Sequence, residues 1–244
     1  VSLLLEARDL TAILPGDHGD VRVLDGVSLG VAPGEIVDVV GPSGSGKSTL
    51  LRALGRLLPV SSGALLYDGA PAETLTPQQW RRVIALVPQK PVLVSGSLRD
   101  NLLLPWTLAV RKGQRAPGDD VLAAGLARLG VDAALDRDAT RLSVGQAARV
   151  ALLRTLLTGP RVLLLDEPDA ALDDVSADEV STLTAEFAAG TAPGIAAGQP
   201  AAGTAPAIAP GAVIRVRHHR PDGLATRRLH LEHGVLCAAE EVAR

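Results

Sequence analysis

Ile36-Val37-Asp38-Val39-Val40 runs directly into Gly41-Pro42-Ser43-Gly44-Ser45-Gly46-Lys47-Ser48-Thr49, and the reading of this stretch decides the fold. Its first five residues form a short, mostly apolar run of the kind that makes a strand buried on both faces. A helical pattern follows over Lys47–Leu58. Between the two lies the complete spacing of a phosphate-binding loop, in the strand–turn–helix context that the motif requires. Glycines there let backbone N–H groups turn inward and approach phosphate oxygens closely, and the helix N-terminus adds a partial positive charge. Lys47 is expected to supply a cation for the β and γ phosphates of a nucleotide, and the Ser48 hydroxyl a ligand for Mg2+. The candidate nucleotide-binding residues are therefore Gly41, Pro42, Ser43, Gly44, Ser45, Gly46, Lys47, Ser48 and Thr49.

A phosphate loop alone does not hydrolyse. Farther along, Val162-Leu163-Leu164-Leu165 reads as a buried strand that ends in Asp166-Glu167-Pro168. Two adjacent carboxylates at the end of such a strand are costly to desolvate unless a cation or substrate uses them. Asp166 fits a Mg2+ role, direct or through water, and Glu167 fits the base that polarises an attacking water. In isolation the acidic pair reads equally well as a surface turn before Pro168; together with the phosphate loop it predicts a nucleoside triphosphatase.

Working outward, further short apolar runs at Leu3–Leu5, Val83–Val87 and Ala212–Val216 alternate with helical patterns at Ser97–Leu103, Asp120–Leu129, Val144–Leu157 and Ser176–Ala188. That alternation predicts an α/β fold with a mostly parallel sheet. Thr76-Pro77-Gln78-Gln79 predicts one more short helix, with a capping hydroxyl, proline at the first helical position and glutamine at the third. Gly190–Gly211 is nearly all Ala, Gly, Pro and Thr and reads as a flexible surface insertion, because it has little bulky apolar surface to offset ordering. Arg111–Asp120 reads as a shorter polar linker.

Composition removes several function classes. The 244 residues carry a net charge of −3, which supplies no basic field for nucleic acid or anionic lipid. Short basic clusters at Arg215–Arg220 and at Arg227 and Arg228 read as solvated faces. A single cysteine, Cys237, allows neither an intrachain disulfide nor a Cys-based metal site, in keeping with a reducing cytoplasm. The N-terminal residues meet a charge at Glu6, too early for a signal-peptide apolar core. No apolar run approaches the ~20 residues that span a bilayer, so any transport pore is expected to come from another chain.

The kind of triphosphatase is indicated by Leu142-Ser143-Val144-Gly145-Gln146, which resembles the signature segment of ABC ATPases. Gln89, in Val87-Pro88-Gln89, stands where that family has a coupling glutamine, and Ala171-Leu172-Asp173 resembles the loop that follows its acidic strand. His218, after the strand Ala212–Val216, falls at the switch-histidine position, with His219 as the rival. With the phosphate loop and the acidic strand, six motifs in the family's order cover most of the chain, and the sequence resembles the ATP-binding subunit of an ABC transporter.

The resemblance implies a P-loop NTPase of ABC type with an antiparallel N-terminal β part. It implies a single domain over 1–244, with a RecA-like core at 1–88 and 159–244, a helical subdomain at 89–158 and the insertion at 190–211. It further implies ATP and Mg2+ as cofactors, a homodimer of head-to-tail cassettes, a separate transmembrane permease, no nucleic acid, and a cytoplasmic position on the inner face of the membrane. Ser143, Gly145 and Gln146 would meet the γ phosphate held by the opposite subunit. Gln89 would sense Mg2+ and the attacking water, and His218 would orient that water. Gln89-Lys90-Pro91-Val92-Leu93 and Arg99–Trp106 resemble the ATP-binding subunits of bacterial iron-export transporters, although a lone Trp106 reads equally as an ordinary packing aromatic.

Four positions depart from the family's pattern. Val144 replaces a glycine of the signature, and its Cβ obstructs close backbone approach to phosphate. Thr11–Gly16 lacks the aromatic that stacks on adenine, with Ile13 or Leu14 in its place. Asp38 puts a carboxylate in an apolar strand, and Arg217 precedes His218 where a small hydroxyl residue is usual. A regulatory or non-transport ABC ATPase with slow hydrolysis is the alternative reading.

Overall fold

The computed structural model describes residues 2–16, 19–170, 172–192, 209–217 and 222–241. Two sheets and a set of helices organise them. Strands β1 (Leu5–Gly16), β2 (Gly19–Val31), β4 (Ser62–Tyr67) and β5 (Ala70–Pro71) form an antiparallel sheet in the order β2-β1-β4-β5. Strands β3 (Ile36–Val40), β6 (Ile84–Val87), β7 (Val162–Asp166), β8 (Ala212–Val216), β9 (Arg227–Glu232) and β10 (Val235–Glu241) form the second, ordered β10-β9-β3-β8-β7-β6. All its pairings are parallel except that of β10 with β9. A mostly parallel core thus stands beside an antiparallel β part, the arrangement that the sequence resemblance implies.

Buried parallel strands follow from their composition: every residue of β7 and of β8 is buried. Alternate side chains then serve two cores. Val37, Val39, Val162, Leu164, Ile214 and Val216 face the antiparallel sheet and helix α1 (Lys47–Leu54). Leu163, Leu165 and Val213 face the opposite side. There they meet α3 (Leu98–Leu103), α4 (Asp119–Arg128), α5 (Val144–Leu156) and α6 (Asp174–Ala189). With few aromatics available, Trp80 of α2 (Pro77–Val83) plugs the first core: it is fully buried and its Nε1 donates to the Leu54 carbonyl at 2.9 Å.

Several expected boundaries move. The strand expected at Leu3–Leu5 begins at Leu5 and continues to Gly16. Its Glu6, Arg8 and Thr11 break the apolar run, but antiparallel pairing needs only one buried face, which Leu5, Ala7, Leu10 and Ala12 supply. The helix expected to reach Leu58 stops at Leu54, where Arg56 turns left-handed (φ 50°) and the Leu57 N–H returns to the Arg52 carbonyl at 2.9 Å. The capped helix at Thr76 forms as read, with the Gln79 N–H donating to Thr76 Oγ1 and Gln79 Oε1 accepting from the Thr76 N–H. Residues 193–208 of the Ala/Gly/Pro stretch lie outside the described residues. Among the described residues, no helix is long and apolar enough to cross a membrane.

Candidate functional site

Parallel register brings the C-terminal ends of the central strands together, which is where open α/β sheets bind ligands. Val39 of β3 pairs with Val216 of β8, Val216 pairs with Asp166 of β7, and Leu165 pairs with Val87 of β6. Everything that follows these residues converges at one edge.

The phosphate loop leaves β3 at Gly41. A Cβ on Gly41 would lie 2.0 Å from the Leu231 carbonyl oxygen, and one on Gly46 would lie 2.8 Å from that of Val23, at left-handed φ 101°. Backbone from β9 and β2 therefore closes on the loop at positions that only glycine leaves open. Gly46 caps α1 without a side chain, so side-chain capping does not occupy the first-turn N–H groups of α1. Lys47 is buried, and its Nζ donates to the carbonyls of Gly41 at 2.9 Å and Pro42 at 2.7 Å, across the mouth of the loop. Burial lowers the Lys47 pKa, while the charges of Glu167 and Asp166 push it back up. Pro42, Ser43 and Gly44 are exposed, Ser45 is buried, and Thr49 is half-buried in the first turn of α1.

Ser48 Oγ donates to Asp166 Oδ1 at 3.0 Å, joining residues 118 apart in sequence. Burial raises the Asp166 pKa, opposed by this hydrogen bond and reinforced by neighbouring Glu167. Glu167 follows with a left-handed backbone (φ 50°), and its N–H donates to the Val216 carbonyl at 3.1 Å. Gln89 and Glu167 each lie two residues beyond the Val87–Leu165 pair, and Gln89 Nε2 donates to Glu167 Oε2 at 2.5 Å. Val87, Gln89, Ala151, Leu152, Glu167 and Val180 line one small cavity there. Ser48 and Asp166 offer hard oxygen donors of the kind Mg2+ takes when phosphates and waters complete its shell. The donor set fits that ion.

Ser143, Gly145 and Gln146 open α5. Ser143 Oγ accepts from the Gln146 N–H and Gln146 Oε1 accepts from the Ser143 N–H, a reciprocal cap. The two side chains bond each other's backbone, and the Gly145 carbonyl accepts from Arg149 Nε at 3.4 Å. Val144 stands out at this end, 63% exposed. Ile13 is exposed on β1, next to the β2 backbone that contacts Gly46. His218, His219 and Ala171 lie outside the described residues.

One cluster was not foreseen. Arg215 and Arg217, read in sequence as part of a solvated basic face, are both buried, because β8 runs between β3 and β7 at the centre of the sheet. Arg215 Nε donates to Asp38 Oδ1 at 2.7 Å, and its two terminal nitrogens reach Asp222 at 2.8 and 3.1 Å. Arg217 pairs with the same Asp222, and its Nε and Nη2 donate to Asp169 Oδ2 at 3.1 and 2.6 Å. Asp38 thus has a partner; burial raises its pKa and Arg215 lowers it. The signal was present in sequence as opposite charges inside two otherwise apolar strands.

Comparison with known proteins identifies the family. The family model described as ABC transporter matches residues 24–170, more than half of the chain. The chain is 45% identical over 160 residues to Protein STAR1 of rice, a match covering 65% of this chain and 45% of that protein, so it spans less than half of that relative. It is 34% identical over 166 residues to the probable iron export ATP-binding protein FetA of Escherichia coli, covering 68% of this chain and 72% of that protein. Its fold overlays a dimeric post-hydrolysis structure of the ATP-binding cassette MJ0796 bound to ADP and phosphate with a TM-score of 0.78 at 22% identity, over 98% of this chain and 99% of that one. The chain belongs to the ABC transporter family, as one of its ATP-binding cassettes.

Proposed function

We propose that this cassette hydrolyses MgATP in a head-to-tail homodimer and couples the cycle to a separate membrane permease. The observation that carries the reading is the Ser48–Asp166 hydrogen bond, which brings the phosphate loop and the acidic strand to one point. Lys47, already aimed across the loop mouth, exchanges its two carbonyl partners for β and γ phosphate oxygens. Ser48 and Asp166 would hold Mg2+, which would supply charge neutralisation for the phosphates. Glu167 accepts a proton from the attacking water, and Gln89, bonded to Glu167, carries the state of the site toward residues 89–158. We assign this stretch as the helical subdomain that docks on the permease, inside a single cassette domain. Ser143, Gly145 and Gln146 face the γ phosphate of the opposite cassette, with the N-terminus of α5 behind them. His218 orients the water, with His219 as its rival.

For the cargo we propose iron export. The support is the likeness to the Escherichia coli protein, beside the resemblance to iron-export ATP-binding subunits read at Gln89–Leu93 and Arg99–Trp106; intracellular iron in a strain lacking the gene is the test. A second reading, a regulatory cassette with slow turnover, is favoured by Val144 alone, whose exposed methyls occupy the phosphate-facing end of α5. Single-turnover cleavage of ATP separates the two. The transport ATPase predicts rapid cleavage by wild type and loss of at least about two orders of magnitude in Glu167→Gln with ATP binding retained. Equal, slow rates in both proteins favour the regulatory cassette.

A further inference from the structure

Asp169 and Arg217 form a buried ion pair, with side chains 7% and 8% exposed, between the loop that follows Glu167 and the end of β8. We infer that they are positioning residues for Glu167, an assignment that rests on the hydrolytic role proposed for that residue.

Glu167 occupies the left-handed region, which a residue with a Cβ leaves unless its surroundings over-determine it. Two ties hold it. Its own N–H bonds the Val216 carbonyl at 3.1 Å, and two residues on, Asp169 Oδ2 accepts from Nε and Nη2 of Arg217, the very next residue after Val216. A backbone tie and a side-chain tie between the same two short segments leave the intervening Pro168 no freedom to let Glu167 swing. Gln89 then meets Glu167 Oε2 from the third side.

Stability alone is a weak account of the pair. Removing two opposite charges from water offsets most of their attraction, and well-packed apolar groups of similar volume commonly stabilise as much or more. What a charge pair adds is a fixed geometry. Arg217 is also held by Asp222, and Asp222 by Arg215, whose Nε binds Asp38 on the strand that delivers the phosphate loop. The clasp is therefore referenced to the strand carrying the nucleotide-binding loop, the frame against which Glu167 must be aimed.

Three measurements test this on the full chain: kcat at saturating MgATP, affinity for a fluorescent ATP analogue, and the unfolding midpoint. Asp169→Asn is expected to lower kcat about tenfold with affinity changed less than about twofold, because a small misplacement of the base acts on the chemical step. The double variant Asp169→Leu with Arg217→Met is expected to unfold near the wild-type temperature yet keep the low kcat. A double variant that regains wild-type kcat together with its stability overturns the inference, since the pair would then be packing only. Should the double variant fail to fold, Asp169→Asn decides, and wild-type kcat in that variant overturns it. A wild type that binds MgATP without turnover sinks the hydrolytic reading instead. In that event amide exchange at Glu167–Leu172 reports on the clasp, faster in Asp169→Asn if the inference holds and unchanged if it fails.

Discussion

Asp222 offers a test of the buried charge cluster in which the sign is fixed by the structure. Its carboxylate is buried, which pushes its pKa up; two hydrogen bonds and the charge of Arg215, the Leu224 N–H and nearby Arg217 more than reverse this, holding it at about 2 against an ordinary 3.8. A depressed pKa in the folded state contributes stability above pH 3.8 that is lost as the pH falls through about 2. That depression is worth about 2 kcal/mol at pH 7 and about 1 kcal/mol at pH 3. Asp38 acts in the opposite direction: its pKa is raised by burial, so its term is present at low pH and lost as pH rises through the folded value. Wild-type stability alone therefore mixes opposing slopes, and the difference from Asp222→Asn removes the Asp222 contribution together with the rise that its charge causes at Asp38. Urea unfolding at pH 7, 5, 4 and 3 is expected to show Asp222→Asn destabilised throughout, with the gap to wild type narrowing by about 1 kcal/mol between pH 5 and pH 3. Parallel curves across that range would mean that Asp222 is not held ionised by the two arginines, and the cluster as described would be wrong.

Three further outcomes are expected. Val144→Gly removes an exposed side chain from the N-terminal end of α5, which we propose meets phosphate, and ATPase turnover should rise severalfold while stability falls by up to about 1 kcal/mol; an unchanged or lower rate refutes the obstruction. Wild type should bind GTP and ATP with comparable affinity, and Leu14→Tyr should tighten ATP by about three- to tenfold through stacking, read by competition with a fluorescent nucleotide. Trp80→Ala empties a fully buried site and strands the Leu54 carbonyl, so chemical denaturation should show a loss of about 3–5 kcal/mol.

Local chemistry made part of this molecule legible. The strand and turn from Ile36 and the cap at Thr76 are written in neighbouring residues and form as read, the helix after the turn ends four residues early, and the cap at Ser143 is equally local although it was not read. The long β1 and the strands β2 and β9 were hidden because charged and polar residues interrupt their apolar ones, so no long apolar run builds up. At the site, Lys47, Ser48, Asp166, Glu167 and Gln89 could be named from motif order, but the contact between Gln89 and Glu167 is a consequence of the β6–β7 register. The arginines were misjudged for a related reason. A short basic run read along the chain gives no sign that one face of it enters the middle of a sheet, whereas Asp38, an anomaly in its own strand, was the mark of the missing partner.

Strand order explains why the charges sit where they do. The phosphate loop follows β3 and the acidic pair ends β7, and these strands are not neighbours; β8 is hydrogen-bonded to both. Adjacent strands lie about 4.8 Å apart, so β3 and β7 are separated by about 10 Å, too far for direct backbone pairing to fix one against the other. Ser48 crosses that gap from above, through α1, to reach Asp166. Beneath the same gap, Arg215 of β8 turns toward β3, and Arg217, just past the end of β8, turns toward the loop after β7. A shift of β8 along its axis would therefore pull on the nucleotide loop and on Glu167 together. Apolar side chains at 215 and 217 would keep the strands packed but would let the two halves slide, which is why two arginines paired with carboxylates on either side serve a two-part site better than a drier core would.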